Sequence, residues 1–371
     1  MTDADVQRVE ARHDNSPSHP RQLILLTDGH TNPLTAKTAS SVLRYCRDEV
    51  VALFDRSQVG KSVHELLGVG EGVPVVGELA AVPEANGLMI GIAPPGGRIP
   101  ESWRPIVLEA IARKMTIYSG LHEFLTDDSE FASAATRNGA TLVDVRKNNE
   151  HQVAQYGLLH KECLRIHTVG NDCSVGKMVV AIELAKSLQN QAHDAQFVAT
   201  GQTGILIAGN GCPVDCVVGD FISGAIEKQV LANQHHEMLL IEGQGCLAHP
   251  RYAAVTLGLL HGCRPQAMIL CYEAGRTAVH GMSEVPLKPL AEIRTLYETM
   301  ASLLLPSQVI GIAMNSRQLN DSQAEQERQQ LRDKLGLPVC DVLRHGPDDL
   351  TQAICQFQKK YLQSVGAVRC N

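Results

Sequence analysis

Residues 167–188 read HTVGNDCSVGKMVVAIELAKSL, and this stretch decides how the second half of the chain folds. An apolar run enters a loop from Gly170 to Lys177, and a segment rich in Ala, Leu and Val follows it. A strand, a glycine-rich loop and a helix in this order predict an anion site, because loop N–H groups and the helix dipole point at a bound phosphate. We expect the following residues to bind the ligand: Gly170, Asn171, Asp172, Cys173, Ser174, Val175, Gly176, Lys177 and Met178.

The residue after the loop lysine is unusual for a site that handles a nucleotide together with Mg²⁺. Such loops place Ser or Thr there, because the hydroxyl binds the metal ion, whereas this chain has Met178. The loop amides and Lys177 can still hold phosphates without that hydroxyl. The substitution therefore favours a loop that binds a phosphorylated ligand over one that cleaves it.

Apolar runs after the loop predict further strands of the same sheet. They are AQFVATG, MLLIEGQG, AMILCYEAG, VIGIAMNS and LGLPVCDV. Short apolar runs that alternate with helical stretches are typical of a parallel sheet with helices on both faces. We therefore predict an α/β domain over residues 151–371, with its ligand beyond the carboxyl ends of the strands.

The first half of the chain shows the same alternation. The runs LILLTDG, EVVALFD, GLMIGIAPPGG, TIYSG and ATLVDVR predict strands of a second parallel sheet. We predict a Rossmann-like domain over residues 21–150, joined to the next domain by a polar segment. Residues 1–20 are polar and lack the basic-then-apolar pattern of a signal peptide, so we predict a mobile tail there.

Composition and charge exclude several classes of protein. The net charge of -7 and an aromatic content of 4% disfavour a nucleic-acid-binding protein. No apolar run reaches the roughly 20 residues that a membrane-spanning helix needs. The 11 Cys residues show no metal-type spacing and suggest reduced thiols in a cytoplasmic protein. We expect a homo-oligomer with a small-molecule substrate and neither a membrane nor a nucleic-acid partner.

Three residues after the later strands are candidates for catalysis. Glu242 ends a buried strand, where it could take a proton, bind Mg²⁺ or simply accept backbone N–H groups. His249 is a second candidate base, with a surface histidine as the alternative interpretation. Arg276 could bind a substrate carboxylate through two hydrogen bonds, or it could be an ordinary ion-paired arginine.

Three further residues are candidates for ligand binding. Gln202 and Thr203 follow a glycine and suit hydrogen bonding to a ligand, although a plain tight turn is an equal alternative. Asn315 follows the VIGIAM strand, where an amide could read a nucleotide base. Of the acidic pair Asp215 and Asp220, we expect Asp220 to cap the next helix.

The second half of the chain resembles dethiobiotin synthetase and its relatives among P-loop proteins. Their loop has the same five-residue gap with Asp at the place of Asp172, and a later strand ends in Glu-Gly as at Glu242. Their base-reading Asn occupies a place similar to that of Asn315. This resemblance covers roughly residues 165–345 and implies a P-loop NTPase-like three-layer α/β/α domain and a nucleotide-type ligand. By carry-over, Asp172 and Glu242 would bind magnesium if the reaction depends on ATP.

A second resemblance covers most of the chain. The motifs TGQTGILIAG, PVDCVVGDFISGAIE, TLGLLHG and CYEAGR look like those of a family long filed as a domain of unknown function. Its members join an N-terminal Rossmann-like domain to a C-terminal P-loop domain, and a characterised member is a D-glutamate N-acetyltransferase that uses acetyl-CoA. The resemblance implies acetyl-CoA as cofactor and an acidic amino acid as substrate.

Three hypotheses follow from the residues and the resemblances together. The first is an acetyl-CoA-dependent N-acetyltransferase that acts on an acidic amino acid, with D-glutamate preferred and no metal in the site. The second is a carboxylate-activating ligase or kinase that uses ATP with Mg²⁺. The third is a non-enzymatic protein that binds a nucleotide.

Overall fold

The chain divides into two compact units, the first ending at Asp144 and the second beginning at Val145. The computed structural model describes residues 20–94 and 96–369. Of the predicted mobile tail, residues 1–20, only Pro20 is among these, so the tail lies outside the described residues.

A parallel sheet forms the centre of the first unit. Within the described residues it has six strands in the order β3-β2-β1-β4-β5-β6. The strands are β1 Leu23–Leu26, β2 Val50–Phe54, β3 Val75–Val76, β4 Gly87–Ile90, β5 Thr116–Ser119 and β6 Leu142–Asp144. All four side chains of β1 are buried, as expected for a central parallel strand that is covered on both faces. The predicted parallel sheet is confirmed, and β3 was missed because two residues give too short a pattern.

Four α-helices pack around this sheet within the described residues of the first unit. They are α1 Lys37–Tyr45, α2 Val63–Leu67, α3 Arg104–Ala112 and α4 Ser129–Asn138. Asp128 precedes α4, and its carboxylate accepts the backbone N–H groups of Glu130 and Phe131. Gly139 ends that helix with a left-handed φ of 71°, which glycine adopts without steric cost.

The second unit contains another parallel sheet. In the described part of the chain it has six strands in the order β14-β13-β10-β7-β9-β8. They are β7 Leu164–Gly170, β8 Ala195–Val198, β9 Met238–Ile241, β10 Ala267–Glu273, β13 Gln308–Asn315 and β14 Val339–Cys340. The predicted strands of this α/β unit are therefore present, and the strand that leads into the glycine-rich loop, β7, lies in the middle of the sheet.

The second unit also has an antiparallel hairpin that the sequence did not reveal. Its strands are β11 Ala278–Val279 and β12 Met282–Pro286, with Gly281 at a φ of 71° in the turn. Two paired positions are too few to produce an alternation of polar and apolar residues. The hairpin follows β10 directly, which brings it to the edge of the sheet where the loop lies.

The helices of the second unit connect the strands of its sheet. They are α5 Lys177–Asn190, α6 Gln202–Ala208, α7 Ile222–Asn233, α8 Ala253–Cys263, α9 Leu290–Ser302, α10 Asp321–Leu335 and α11 Asp348–Arg369. The expectation that Asp220 caps α7 is wrong, because Phe221 holds the N-cap position and no side chain caps that terminus. None of the described helices is long and apolar enough to cross a membrane.

The polar segment that begins the second unit is bound to that unit through Glu227 of α7. The Glu227 carboxylate accepts the N–H of Gln155 at 2.6 Å and that of Gly157 at 2.8 Å. Arg264 donates to both the Glu227 carboxylate, at 2.9 Å, and the Gly157 carbonyl, at 3.0 Å. This buried ion pair fixes the segment to α7 and α8.

The order of the strands explains where functional side chains meet. β7 pairs with β9 on one side and with β10 on the other, all in parallel. Residues that follow these strands therefore lie at one edge of the sheet. These residues are the loop after Gly170, Glu242 after β9 and Glu273 at the end of β10.

Candidate functional site

The loop between β7 and α5 has the backbone of an anion site. Ser174 has a φ of 56° and Gly176 a φ of 105°, so two positions of the loop lie in the left-handed region. Left-handed residues within a run of right-handed ones turn successive N–H groups towards a common centre, which favours an anion. α5 begins at Lys177, so its N-terminus faces the same centre.

The loop lysine is buried and already oriented. Lys177 is 6% exposed, and its ammonium group donates to the carbonyl oxygen of Asp172 at 2.7 Å. The side chain thus folds back across the loop, with its charge held at the mouth of the amide-lined turn. A phosphate that enters the turn would meet this charge without a large rearrangement.

Asp172 connects the loop to the hairpin. Its carboxylate is fully buried and accepts three hydrogen bonds, from Arg276 at 2.8 Å and from the N–H groups of His280 and Cys173 at 2.7 Å each. Because both carboxylate oxygens have donors, Asp172 acts as an anchor for the segment that follows β10.

Arg276 is part of an ion-pair network at the same edge of the sheet. Besides Asp172, its guanidinium binds the carbonyl of Cys173 at 2.7 Å and the carboxylate of Glu273. Glu273 in turn accepts two hydrogen bonds from Arg317, at 3.0 Å each. The structure thus agrees with the alternative interpretation of Arg276 as an ion-paired residue, in contact with the loop.

Glu242 occupies a different environment from Asp172. It is 4% exposed and accepts the N–H groups of Thr200 at 2.9 Å and Gly201 at 3.1 Å, together with the amide of Gln244 at 3.0 Å. Burial without a cationic partner raises its pKa to about 7, against the lowering effect of these hydrogen bonds. A carboxyl group with such a pKa can exchange a proton near neutral pH.

Gly243 brings Glu242 close to the loop. A Cβ atom at this position would overlap the carbonyl oxygen of Thr168 and lie 2.9 Å from the side chain of Lys177. The N–H of Gly243 donates to the Thr168 hydroxyl at 3.0 Å. Only glycine permits this approach, so the Glu-Gly pair packs directly on β7 and on the loop lysine.

His249 is buried beside the loop, so the alternative of a surface histidine is wrong. It is 2% exposed and packs against Tyr252, with ring centroids 4.7 Å apart and the two rings tilted by 42°. Its Nδ1 accepts the N–H of Arg251 at 3.1 Å, and its Nε2 lies 3.8 Å from Asp172 Oδ1. Burial lowers the pKa of His249, which favours the neutral ring at physiological pH.

Cys173 lies next to these groups. One ligand atom each of Asp172, Cys173 and His249 falls within 4.8 Å of the other two. Burial raises the pKa of the Cys173 thiol to about 11, which makes it a poor nucleophile near neutral pH.

The other predicted ligand-binding residues border the same edge. Gln202, the first residue of α6, is 7% exposed and accepts a hydrogen bond from Arg146 at 2.8 Å, and Thr203 is the next residue of that helix. Asn315 is the last residue of β13 and pairs in register with Glu273. Its side chain accepts the N–H of Arg317 at 3.3 Å. These roles in ligand binding stay predictions.

Arg146 is a residue that the sequence did not single out. Its guanidinium pairs with Asp215 at 2.8 Å and holds Gln202, which lies next to the Gly201 N–H that binds Glu242. A single arginine after a short strand gives no pattern that would identify it. Only the fold reveals that the polar segment contributes a charge here.

Two family models together match most of the chain. The one described as a "Domain of unknown function (DUF1611_N) Rossmann-like domain" matches residues 56–148. The one described as a "Domain of unknown function (DUF1611_C) P-loop domain" matches residues 148–351. These matches confirm the predicted fold of both halves.

Similar proteins have been given a specific activity or a solved structure. A D-glutamate N-acetyltransferase from Pseudoalteromonas sp is 38% identical over 272 residues, which is 73% of this chain and 82% of the relative. One from Tritonibacter scottomollicae is 37% identical over 280 residues, or 75% of this chain and 83% of the relative. A crystal structure of a DUF1611 family protein from Anabaena variabilis is 34% identical, with a TM-score of 0.84 over 91% of this chain and 99% of the other.

Proposed function

Because the chain belongs to the DUF1611 family of two-domain proteins, we propose that it is an acetyl-CoA-dependent N-acetyltransferase that acts on an acidic amino acid, D-glutamate. The names of two relatives, at 38% and 37% identity, support the acyl transfer and the choice of amino acid. Conditions inside the site support the same reaction, as follows.

The observation that carries this function is Glu242 itself. A buried carboxyl group with a pKa of about 7 lies next to Gly243, which packs on the side chain of the loop lysine. An amino group must lose a proton before it can attack a thioester, and a carboxylate of this basicity can accept that proton. We therefore assign Glu242, rather than His249, as the general base.

The loop suits coenzyme A because the coenzyme must be held but its phosphates are not cleaved. Its left-handed residues Ser174 and Gly176, the N-terminus of α5 and the charge of Lys177 all favour a phosphate. Met178 offers no hydroxyl to a metal ion. We propose that Gln202, Thr203 and Asn315 contact other parts of the ligand.

The chemistry needs one proton acceptor and one group that stabilises negative charge. Glu242 takes a proton from the substrate ammonium group, and the amine nitrogen then bonds to the thioester carbonyl carbon. When the C–S bond breaks, the second nitrogen proton passes to the leaving sulfur, which gives the N-acetyl amino acid and the free thiol. The first proton leaves Glu242 for solvent.

Backbone amides near Glu242 are the proposed donors to the oxyanion that forms during attack. The N–H of Gly243 already donates to the Thr168 hydroxyl. We therefore propose the N–H groups of Gln244 and Gly245 as the donors to the oxyanion. Arg276 is engaged with Asp172, Cys173 and Glu273, and we therefore assign it to holding the loop rather than to the substrate carboxylate.

A reaction driven by ATP has less support. It would need Asp172 and Glu242 as Mg²⁺ ligands, yet Asp172 accepts three hydrogen bonds and Glu242 accepts three from amides. A metal ion would have to displace several of these donors.

The test is thiol release by the pure protein from acetyl-CoA with D-glutamate, compared with L-glutamate and D-aspartate. We expect release with D-glutamate, and a Lys177→Ala variant should bind coenzyme A at least about tenfold more weakly, because it loses a charge-assisted contact. Lys186→Ala, an exposed lysine on the same helix, is the matched control. A folded protein that releases no thiol but forms ADP from ATP and Mg²⁺ would contradict the proposed function.

A further inference from the structure

The hydrogen bonds of His249 fix which ring nitrogen carries its proton. Nδ1 lies 3.1 Å from the backbone nitrogen of Arg251, which can only donate. Nδ1 must therefore be the acceptor and carry no proton. A neutral imidazole has one proton, so it resides on Nε2.

The Nε2 atom has no hydrogen-bond partner among the described residues, although the side chain is 2% exposed. The carboxylate oxygen Oδ1 of Asp172 lies 3.8 Å from Nε2, which is beyond hydrogen-bond length. A buried N–H without an acceptor destabilises the folded protein, so such groups call for an explanation. A ligand oxygen in the adjoining loop would supply the missing acceptor.

The position of the ring proton also argues against two other roles for His249. As a general base it would need a free lone pair, but the lone pair of Nδ1 is occupied and Nε2 bears the proton. As a metal ligand through Nε2 it would need its proton on Nδ1, where metal-binding histidines usually donate to an acceptor. Arg251 offers a donor at that place instead. The cluster with Asp172 and Cys173 is therefore poorly arranged for a cation.

The charges around the ring favour an anionic oxygen. Lys177 and Arg276 contribute two positive charges at the loop, and Asp172, whose carboxylate is the one that faces the ring within the described residues, is paired with Arg276. The side-chain oxygen of Asn171 in the same loop is also buried without a partner, but as an acceptor it would need a donor group and does not bear on a phosphate oxygen.

From this geometry we infer that His249 is a neutral, Nε2-protonated donor that binds a phosphate oxygen of the ligand held by the Gly170–Lys177 loop. The identity of that ligand as coenzyme A rests on the proposed function, but the protonation state of the ring does not. His249 is thereby a binding residue of the loop, contributed by the segment after Glu242.

Nuclear magnetic resonance tests the protonation state directly. In protein labelled with ¹⁵N-histidine, two-bond ¹⁵N–¹H spectra near neutral pH should show His249 protonated at Nε2 alone, with the signal assigned by its loss in His249→Gln. Protonation at Nδ1, or at both nitrogens, would overturn the assignment. So would loss of the Nε2 proton on addition of Zn²⁺, which would indicate a metal site.

Calorimetry with coenzyme A tests the contact. We expect His249→Ala to bind coenzyme A about tenfold more weakly, and His249→Gln, whose amide keeps an N–H donor, to stay within about threefold of the wild type. Far-ultraviolet circular dichroism would show that each variant is folded. Equal affinity of the alanine variant and the wild type would refute the contact.

Two further measurements distinguish a contact with a phosphate from a contact with another part of the ligand. Coenzyme A and acetyl-CoA should lose affinity equally in His249→Ala, whereas an effect confined to acetyl-CoA would place the donor at the thioester and overturn the phosphate assignment. If the wild-type protein binds no coenzyme A, the proposed function fails, and inorganic pyrophosphate becomes the probe of the loop. A shift of the His249 Nε2 signal with pyrophosphate would support the contact, and an unchanged signal would refute it.

Discussion

Asp172 and Glu242 are two buried carboxylates at one edge of one sheet, and they differ in what surrounds them. Asp172 is fully buried but faces the guanidinium of Arg276 and two backbone N–H groups. Glu242 is buried to a similar degree but faces neutral amides alone among its hydrogen-bond donors. Two carboxylates that are buried to a similar degree therefore differ in their environment, because one has a cationic partner and the other has only neutral donors.

The contrast assigns a separate task to each half of the site. The carboxylate of Asp172 binds Arg276 and fixes the loop to the hairpin. A carboxylate held by amides has its pKa raised to about 7 and can exchange a proton. If the two carboxylates have these separate roles, a change at Glu242 should reduce catalysis, and a change at the partner of Asp172 should reduce stability.

The largest expected effect is on catalysis at Glu242. Glu242→Gln keeps the shape of the side chain and removes the proton acceptor, so we expect thiol release to fall by roughly 10²–10⁴-fold. Coenzyme A affinity, measured by calorimetry, should change little. Glu325→Gln, at an exposed glutamate, serves as the control. If Glu242→Gln released thiol at the wild-type rate, Glu242 would not be the general base.

The next effect is on stability at Arg276. Arg276→Gln leaves Asp172 and Glu273 with fewer donors in a buried place, so we expect a loss of about 3–4 kcal/mol in the free energy of unfolding, measured with urea. The surface pair of Lys228 with Glu150 provides the contrast, because Lys228→Gln should cost under about 1 kcal/mol. If Arg276→Gln also lost less than about 1 kcal/mol in the free energy of unfolding, the pairing with Asp172 would contribute no more to stability than a surface ion pair does.

The pH dependence of stability is smaller and has a definite sign. Burial raises the pKa of Glu242 from an ordinary 4.5 to about 7, so its stabilising contribution is present at low pH and is lost as the pH rises through 7. Between about pH 5 and about pH 8 the free energy of unfolding should fall by roughly 2–3 kcal/mol more in the wild type than in Glu242→Gln, which cannot ionise. Parallel urea curves for the two proteins would show that Glu242 has an ordinary pKa.

The smallest expected effect tests the absent hydroxyl after the loop lysine. Met178→Ser restores the residue type of metal-dependent loops, and the side chain is half-buried at the start of α5. We expect coenzyme A affinity to change less than about threefold, with or without Mg²⁺, because the loop N–H groups and Lys177 hold the phosphates without this side chain. A large gain with Mg²⁺ would indicate that the loop is built for a metal after all.

Much of the architecture could be predicted from the sequence because its signals are local. The run into Gly170, the spacing to Lys177 and the Ala- and Leu-rich helix predict a strand, a loop and a helix from neighbouring residues alone. Glu242 and Glu273 follow apolar runs, so their positions at a sheet edge also follow from local patterns. The short strand Val75–Val76 and the hairpin at residues 278–286 left no such pattern.

The environments within the site could not be predicted, because they depend on contacts distant in sequence. Asp172 meets Arg276 across 104 positions, and Arg146 meets Gln202 across 56. The sequence placed Glu242 and His249 as equal candidate bases, since both have suitable side chains. Only the donor from Arg251 and the amides around Glu242 distinguish them.

The close packing of Gly243 has a consequence for how this protein can vary. Any side chain at that position would clash with the backbone of Thr168 and with the aliphatic part of Lys177. The Glu242–Gly243 pair therefore combines the residue that carries the carboxyl group with the residue whose small size the loop lysine requires. We expect a saturation library to reject even alanine at Gly243, while Gly219, which has open space around it, accepts many residues.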